Sequence, residues 1–323
     1  MEPRNLDFAS LSECELPFNG TFYPLGFPVN LASNSREALA CARESWGMWA
    51  AEFDAQPIEA RVVVQPEGEL APEPEYGASG HLFSIVSDRH NYAVLDLDRL
   101  FGYAFVSRDT VADHSWFRWY FLDPLALFQL AQRHALAVHA ACIAREGRGI
   151  LLAGESCAGK STLAWACARA GWTYVADDAA WLPMQTAGRE VLGRSDLVRF
   201  RPEALEWFPE LEGLVSRVRP NGKLSIEVPT NSFPNIRTAS RCEPEAVVFL
   251  DRSQRHPPGF ERMDAVEAAE ELLGDRSKYW EETRARYRTA VRRLMQAPSY
   301  RMRYKSLEEG IALLGDLHTR LGS

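Results

Sequence analysis

The chain has 323 residues, 46% hydrophobic and 25% charged, an ordinary globular composition with enough length for two compact domains. A net charge of −8, from 36 basic and 44 acidic residues, argues against a general nucleic-acid binder, leaving only local basic patches to consider. The six cysteines (Cys14, Cys41, Cys142, Cys157, Cys167, Cys242) form no C-x-x-C and no Cys/His pairing at zinc spacing, which fits a reducing compartment and no structural zinc. The N-terminus has no basic leader with an apolar core. The best apolar run is interrupted by Gln129, Gln132, Arg133 and His134, so a cytoplasmic protein without a membrane span is expected.

In chain order, turn-rich sequence (FNGTFYPLGFPVN) leads into an amphipathic helix expected from Arg36 to Phe53, with Asn34 as its cap and Glu37 three residues on. Residues 65–77, QPEGELAPEPEYG, read as an exposed loop because Pro, Glu and Gly bury little. HLFSIVS, NYAVLDL and YAFVSR have the β-branched and aromatic content of strands. Asp123 before Pro124 marks the start of a helix, PLALFQLAQRHA. The aromatic run SWFRWYF is read as packing rather than a base-stacking platform. Residues 1–135 are therefore expected to form a smaller N-terminal α+β domain.

From His139 the pattern changes. HAACIA, the turn REGRG and ILLAG read as two strands joined by a tight turn. They are followed by the loop GESCAGKST, a helix KSTLAWACARA stopped by Gly171, and a strand WTYVADDAAWL. Strand, glycine-bounded loop, helix and strand are the opening unit of a P-loop domain, so the fold class expected for 136–323 is α/β. AVVFLDR (246–252) is a further buried strand. A Glu- and Arg-rich helical region (263–296), a strand YRMRYK and a last helix opened by Ser306 and Glu309 complete the chain.

The chemistry concentrates in Gly154, Glu155, Ser156, Cys157, Ala158, Gly159, Lys160, Ser161 and Thr162, a match to G-x-x-x-x-G-K-[ST]. Successive backbone N–H groups and the N-terminus of the following helix offer aligned donors to an anion. Lys160, expected to be exposed and to add little packing, supplies a point charge to the β and γ phosphates, and Ser161 a hydroxyl for Mg2+. Cys157 reads as a spacer whose side chain points away from the phosphates, with a thiol activated by Lys160 and the helix end as the alternative. Asp177 and Asp178 end the next strand, where two adjacent carboxylates need cations opposite them. Strand alternation sends one toward the metal and the other toward the acceptor.

His139, this loop and VADD together resemble the catalytic domain of bacterial HPr kinase/phosphorylase and related serine kinases. As in that family, His139 stands 21 residues before Lys160, and Asp178 stands 18 after it. The resemblance implies an ATP- and Mg2+-dependent kinase with an HPr-kinase-like P-loop domain at 136–323 that transfers phosphate to a seryl hydroxyl. It assigns Asp178 as proton acceptor, Asp177 and Ser161 to the metal, His139 to the acceptor side and Lys160 to phosphate. Cys157 replaces the family's glycine and Thr162 its glutamate, and the glycine-rich signature after ADD has no counterpart. These departures point away from HPr as acceptor, toward a peptide, another protein or a small hydroxyl-bearing molecule.

DLVRFRPE offers Arg199 and Arg201, with Arg201 counted among the catalytic residues, and NGKLSIEVP offers Lys223, for phosphate or acceptor. A GTPase would need D-x-x-G and N-K-x-D, and an ABC ATPase an LSGGQ-like signature; the sequence has none of them. A small-molecule kinase and a nucleotide-sensing module without transferase activity are the rival readings. Arg284, Arg288 and Arg292 recur at four-residue spacing and read as a solvated helix stripe, with an anionic partner as the alternative.

Overall fold

The computed structural model describes residues 15–214, 216–218, 224–252, 256–274 and 281–322. The chain divides into two units, Met1–Gln132 and Arg133–Ser323. It is a mixed α/β protein. Lys223 lies outside the described residues.

The first unit contains β1 (Phe18–Phe22), β2 (Val29–Ser33), α1 (Arg36–Trp46), β3 (Ile58–Gln65), β4 (Glu75–Ser79), β5 (Leu82–Val86), β6 (Tyr92–Asp96) and β7 (Phe101–Ser107). Short helices α2 (Arg108–Ala112) and α3 (His114–Phe117) and a π turn, Arg118–Leu122, then lead into α4 (Asp123–Arg133). The seven strands form one sheet in the order β1-β2-β3-β7-β6-β5-β4. Strand β3 runs parallel to both its neighbours.

Several local expectations are corrected here. α1 stops at Trp46, not Phe53, because the chain turns at Gly47. Asn34 does not cap it. Its side chain spans to β3 instead, donating to Val64 O (2.9 Å) and accepting from Val64 N (2.7 Å). The 65–77 segment is pinned by buried Ala71, and its last residues enter β4. Asp123 Oδ1 accepts from Trp46 Nε1 (2.9 Å) and Ser45 Oγ (3.0 Å), so it ties the two helices together. Phe117, Tyr120 and Phe121 of the aromatic run are core residues.

The second unit opens with β8 (Ala135–Val138), β9 (Ala141–Arg145), β10 (Arg148–Ala153), α5 (Lys160–Arg169), β11 (Thr173–Ala176), β12 (Ala180–Pro183), β13 (Val191–Gly193) and β14 (Leu197–Phe200). It continues with β15 (Ser216–Val218), β16 (Leu224–Pro229), β17 (Arg237–Thr238), β18 (Arg241–Asp251), β19 (Gly259–Arg262), α6 (Ala265–Leu273), α7 (Glu281–Leu294), β20 (Ser299–Arg303) and α8 (Leu307–Leu321). One large sheet runs β17-β11-β9-β10-β18-β13-β12-β8, with β20 added against β18. β18 is parallel to both β10 and β20. Glu146 (φ 52°) and Gly147 (φ 79°) make the tight β9–β10 turn, whose two positive φ angles match the right-handed twist of the flanking strands.

Alternation along β10 divides its apolar run between two cores. Ile150 and Leu152 face a layer with Leu163, Trp165, Leu314 and Leu317, which come from α5 and α8. Leu151 and Ala153 face a layer with Leu272, Tyr287, Val291 and Leu294 of α6 and α7. A strand buried on both faces reads as a continuous apolar run, which is why ILLA is recognisable without alternation. Each fully buried Leu or Ile contributes roughly 1.5–3 kcal/mol relative to exposure. In α7, Tyr287, Ala290, Val291 and Leu294 are buried and Arg288 and Arg292 are exposed, so the helix is amphipathic; Arg284 of the expected solvated stripe is only partly exposed, and Arg293 turns inward to donate to Pro183 O and Thr186 O.

Candidate functional site

The expected single strand WTYVADDAAWL is broken. β11 ends at Ala176 and pairs with β9, whereas β12 begins at Ala180 and pairs with β8 and β13. Two edges claim the two halves of one apolar run, and Asp177 and Asp178 occupy the bend between them. The carboxylates separate, although the bend and not the expected strand alternation is what divides them. Asp177 is 7% exposed, while the side chain of Asp178 is 55% exposed.

The loop Gly154–Gly159 joins β10 to α5. Gly154 (φ 141°) and Gly159 (φ 93°) hold conformations that a side chain would strain, and a Cβ on Gly159 would lie 3.0 Å from Tyr304 Oη. Tyr304 follows β20 and approaches Ala158 O at 3.5 Å, backing the loop from behind. Cys157 also has positive φ, 70°, and lines the cleft. Its cost is therefore in the backbone. Cys157→Gly is expected to stabilise the fold by about 0.5–1 kcal/mol, the left-handed penalty outweighing the added freedom of the unfolded chain. A denaturation midpoint that fell at constant slope would contradict this.

Lys160 is the main departure from expectation at the site. It is only 6% exposed, and its Nζ donates to Gly154 O (2.8 Å) and Glu155 O (2.9 Å). Desolvation lowers its pKa, and the charges of Asp178 and Asp177 work against that shift. The lysine thus closes the loop on itself.

Asp177 Oδ2 accepts from the Arg199 backbone N–H at 3.2 Å, which ties β14 to the bend after β11. Its Oδ1 is buried with no hydrogen-bond partner among the described residues. Burial pushes the Asp177 carboxyl up to about 6, aided by the Asp178 charge and opposed by hydrogen bonds from Ser161 and the Arg199 amide. Because the folded state holds this proton to a higher pH than the unfolded chain, where 3.8 applies, stability should fall as pH rises from about 4 to about 6. The loss is on the order of 2–3 kcal/mol, and Asp177→Asn, which keeps both acceptor contacts, should abolish it. The readout is urea midpoints at pH 4.5 and 7. Identical pH profiles for mutant and wild type would refute the assignment.

His139 sits between β8 and β9. Its Nδ1 lies 3.0 Å from Asp178 O and 3.2 Å from Asp178 Oδ1, so Nδ1 carries the proton and donates to both. The hydrogen bond to Asp178 raises the histidine's pKa, against desolvation and the Lys160 charge. Arg201, exposed, precedes the short 3-10 helix Pro202–Glu206, while Arg199 Nε is held by Glu227 Oε1 at 2.6 Å.

These groups line one cleft of about 470 Å3, which takes in His139, Ser156, Cys157, Gly159–Thr162, Asp177, Asp178, Arg199 and Arg201. Gly154, Glu155 and Ala158 lie in the same loop and act through their backbone. The sequence reading missed Arg252 and Trp207, which also line the cleft. Arg252 was within reach of it, since it follows a buried strand run and ligands bind beyond the carboxyl ends of parallel strands. Trp207 gave no signal.

Among the described residues no group of three or more His, Cys, Asp or Glu side chains could hold a metal ion. Mg2+ needs no such cage, since it binds through one or two carboxylates, waters and substrate phosphates. The Asp177 carboxylate, with Oδ1 buried and unpartnered among the described residues and a hydrogen bond from Ser161 to the group, fits that mode. The free cysteines are Cys41, Cys142, Cys157, Cys167 and Cys242 among those described. No helix among the described residues is long and apolar enough to cross a membrane.

No family model matches the chain, and no curated protein matches it. Among solved structures the chain is similar to that of the Hpr(Ser) kinase/phosphatase from Coxiella burnetii, at 13% identity over 58% of this chain and 99% of that one, with a TM-score of 0.32. The reading of the site therefore rests on its own geometry.

Proposed function

We propose that the second unit is an ATP-dependent kinase that moves a terminal phosphoryl group to the hydroxyl of a peptide, protein or small-molecule acceptor. The observation carrying this reading is the pairing, in one cleft, of two carboxylates in opposite environments beside a lysine-closed loop at a helix N-terminus. Asp177 is buried with one oxygen unpartnered, and Asp178 is exposed and linked to His139. A solvated turn or a helix cap has no use for that division.

In the proposed mechanism the loop amides and the N-terminus of α5 receive the donor phosphates. Lys160 exchanges its two loop carbonyls for phosphate oxygens as the nucleotide enters. Ser161 and Asp177 would hold Mg2+, whose charge offsets that of the phosphates. Asp178 accepts the acceptor hydroxyl's proton as the oxygen approaches phosphorus. The Nδ1–H of His139 fixes the orientation of the Asp178 carboxylate. Arg201, which lines the cleft, offsets charge on the transferring group. Little covalent chemistry is asked of the protein; positioning and charge supply the rate.

The test is incubation with ATP labelled at the γ-phosphate, with and without seryl peptides and small polyols, following the label by mass spectrometry. Label on an acceptor hydroxyl supports the kinase. Release only to water would favour a regulatory ATPase, and binding without turnover a nucleotide sensor.

A further inference from the structure

Arg252 follows β18, which runs parallel to β10, so the end of β18 and the loop after β10 emerge at the same edge of the sheet. The arginine lines the cleft. Its Cδ and Nη1 lie 3.5 Å and 3.8 Å from where a Cβ on Gly159 would stand, so its side chain runs along the last residue of the loop. The carboxylate of its neighbour Asp251 accepts from Arg303 Nε at 3.2 Å. Among the described residues no hydrogen bond or ion pair reaches Arg252. Arg199, by contrast, is held by Glu227, and Lys160 feels both Asp177 and Asp178.

The loop is thus flanked asymmetrically. In the sheet β10 lies between β9 and β18, and the carboxylates follow β11, beyond β9. Asp177 and Asp178 stand on the β9 side, and Arg252, exposed and without a hydrogen bond or ion pair among the described residues, stands on the β18 side. In-line transfer places the attacking and leaving oxygens on opposite sides of phosphorus. With the attacking hydroxyl at Asp178, the leaving oxygen faces away from the acids, toward the β18 side of the loop.

We propose that Arg252 binds the β-phosphate of the donor nucleotide, on the leaving-group side of the loop; this rests on reading the cleft as a phosphoryl-transfer site. As the bond between the bridging oxygen and γ-phosphorus breaks, its electron pair stays on the β-phosphate and the hydroxyl proton passes to Asp178. Arg252 meets the charge that accumulates on the departing nucleoside diphosphate. Because ADP carries that charge already, Arg252 also holds the product.

The experiment measures Mg·ADP and Mg·ATP affinity by calorimetry for the wild type, Arg252→Ala and Arg252→Lys, with thermal unfolding of each. Arg252 is exposed, so the fold should be unaffected. For Arg252→Ala the expected result is a loss of about 10- to 100-fold for ADP and ATP alike, as for one charge-assisted contact. Arg252→Lys should fall between, keeping the charge without the planar fork. An unchanged ADP affinity overturns the proposal. So does a loss confined to ATP, which would move Arg252 to the γ-phosphate. A wild-type chain that binds neither nucleotide overturns the reading of the cleft itself, separating that failure from an error about Arg252.

Discussion

Asp178→Asn is expected to lower phosphoryl transfer by about 10²- to 10⁴-fold, the range for removing a general base, while nucleotide affinity stays close to wild type. The asymmetry follows from placement. Asp178 is half exposed at the mouth of the cleft and engages His139, whereas Asp177 is buried against Ser161 and the Arg199 amide. An amide at 178 can still accept from His139 Nδ1, so the local geometry survives and only the proton acceptor is lost. Single-turnover transfer beside calorimetric affinity separates the roles. If Asp178→Asn lost binding while Asp177→Asn lost only rate, the two assignments would be exchanged. If both turned over normally, the cleft would not be a kinase site.

Lys160→Ala is expected to lower turnover by about 10²- to 10³-fold, comparable to removing one preorganised donor from a site of developing charge. Read from sequence the lysine is exposed and structurally idle; in the fold it is 6% exposed and closes the loop through two carbonyls. The mutation should therefore also cost about 1 kcal/mol of stability, since two loop carbonyls lose their charged donor. Lys160→Met separates these effects by keeping the packed stem without the charge. Wild-type turnover in both variants would refute the phosphate-site reading.

Most of what was legible in the sequence is local. ILLAG, the glycines around the loop and KSTLAWACARA place a strand, a strained turn and a helix by rules that act within a few residues: apolar runs, positive φ and caps. Ser306 and Glu309 behave likewise, the Ser306 hydroxyl accepting from Glu309 N–H (3.3 Å) and Glu309 Oε2 accepting from Lys305 N–H (2.7 Å). Asn34 had the same credentials as a cap and was taken instead by β3, thirty residues away. No short-range rule reports such a partner.

The two aspartates mark the boundary most clearly. Their identity, adjacency and spacing from Lys160 are written in the sequence, but the strand whose alternation was expected to part them ends at Ala176. Which one is buried depends on where the run WTYVADDAAWL breaks, and that depends on β9, β8 and β13 competing for its two halves. The same holds for Arg252, an unremarkable residue until β18 is laid parallel to β10 and brings it against Gly159. Sequence alone determined the loop, its helix and the chemical types available to the cleft, because backbone conformation and capping are decided by near neighbours. The tertiary structure decided which carboxylate is desolvated, which cation stays unpaired among the described residues and which side of the loop each flanks. Burial and charge pairing are properties of strands brought together from distant parts of the chain.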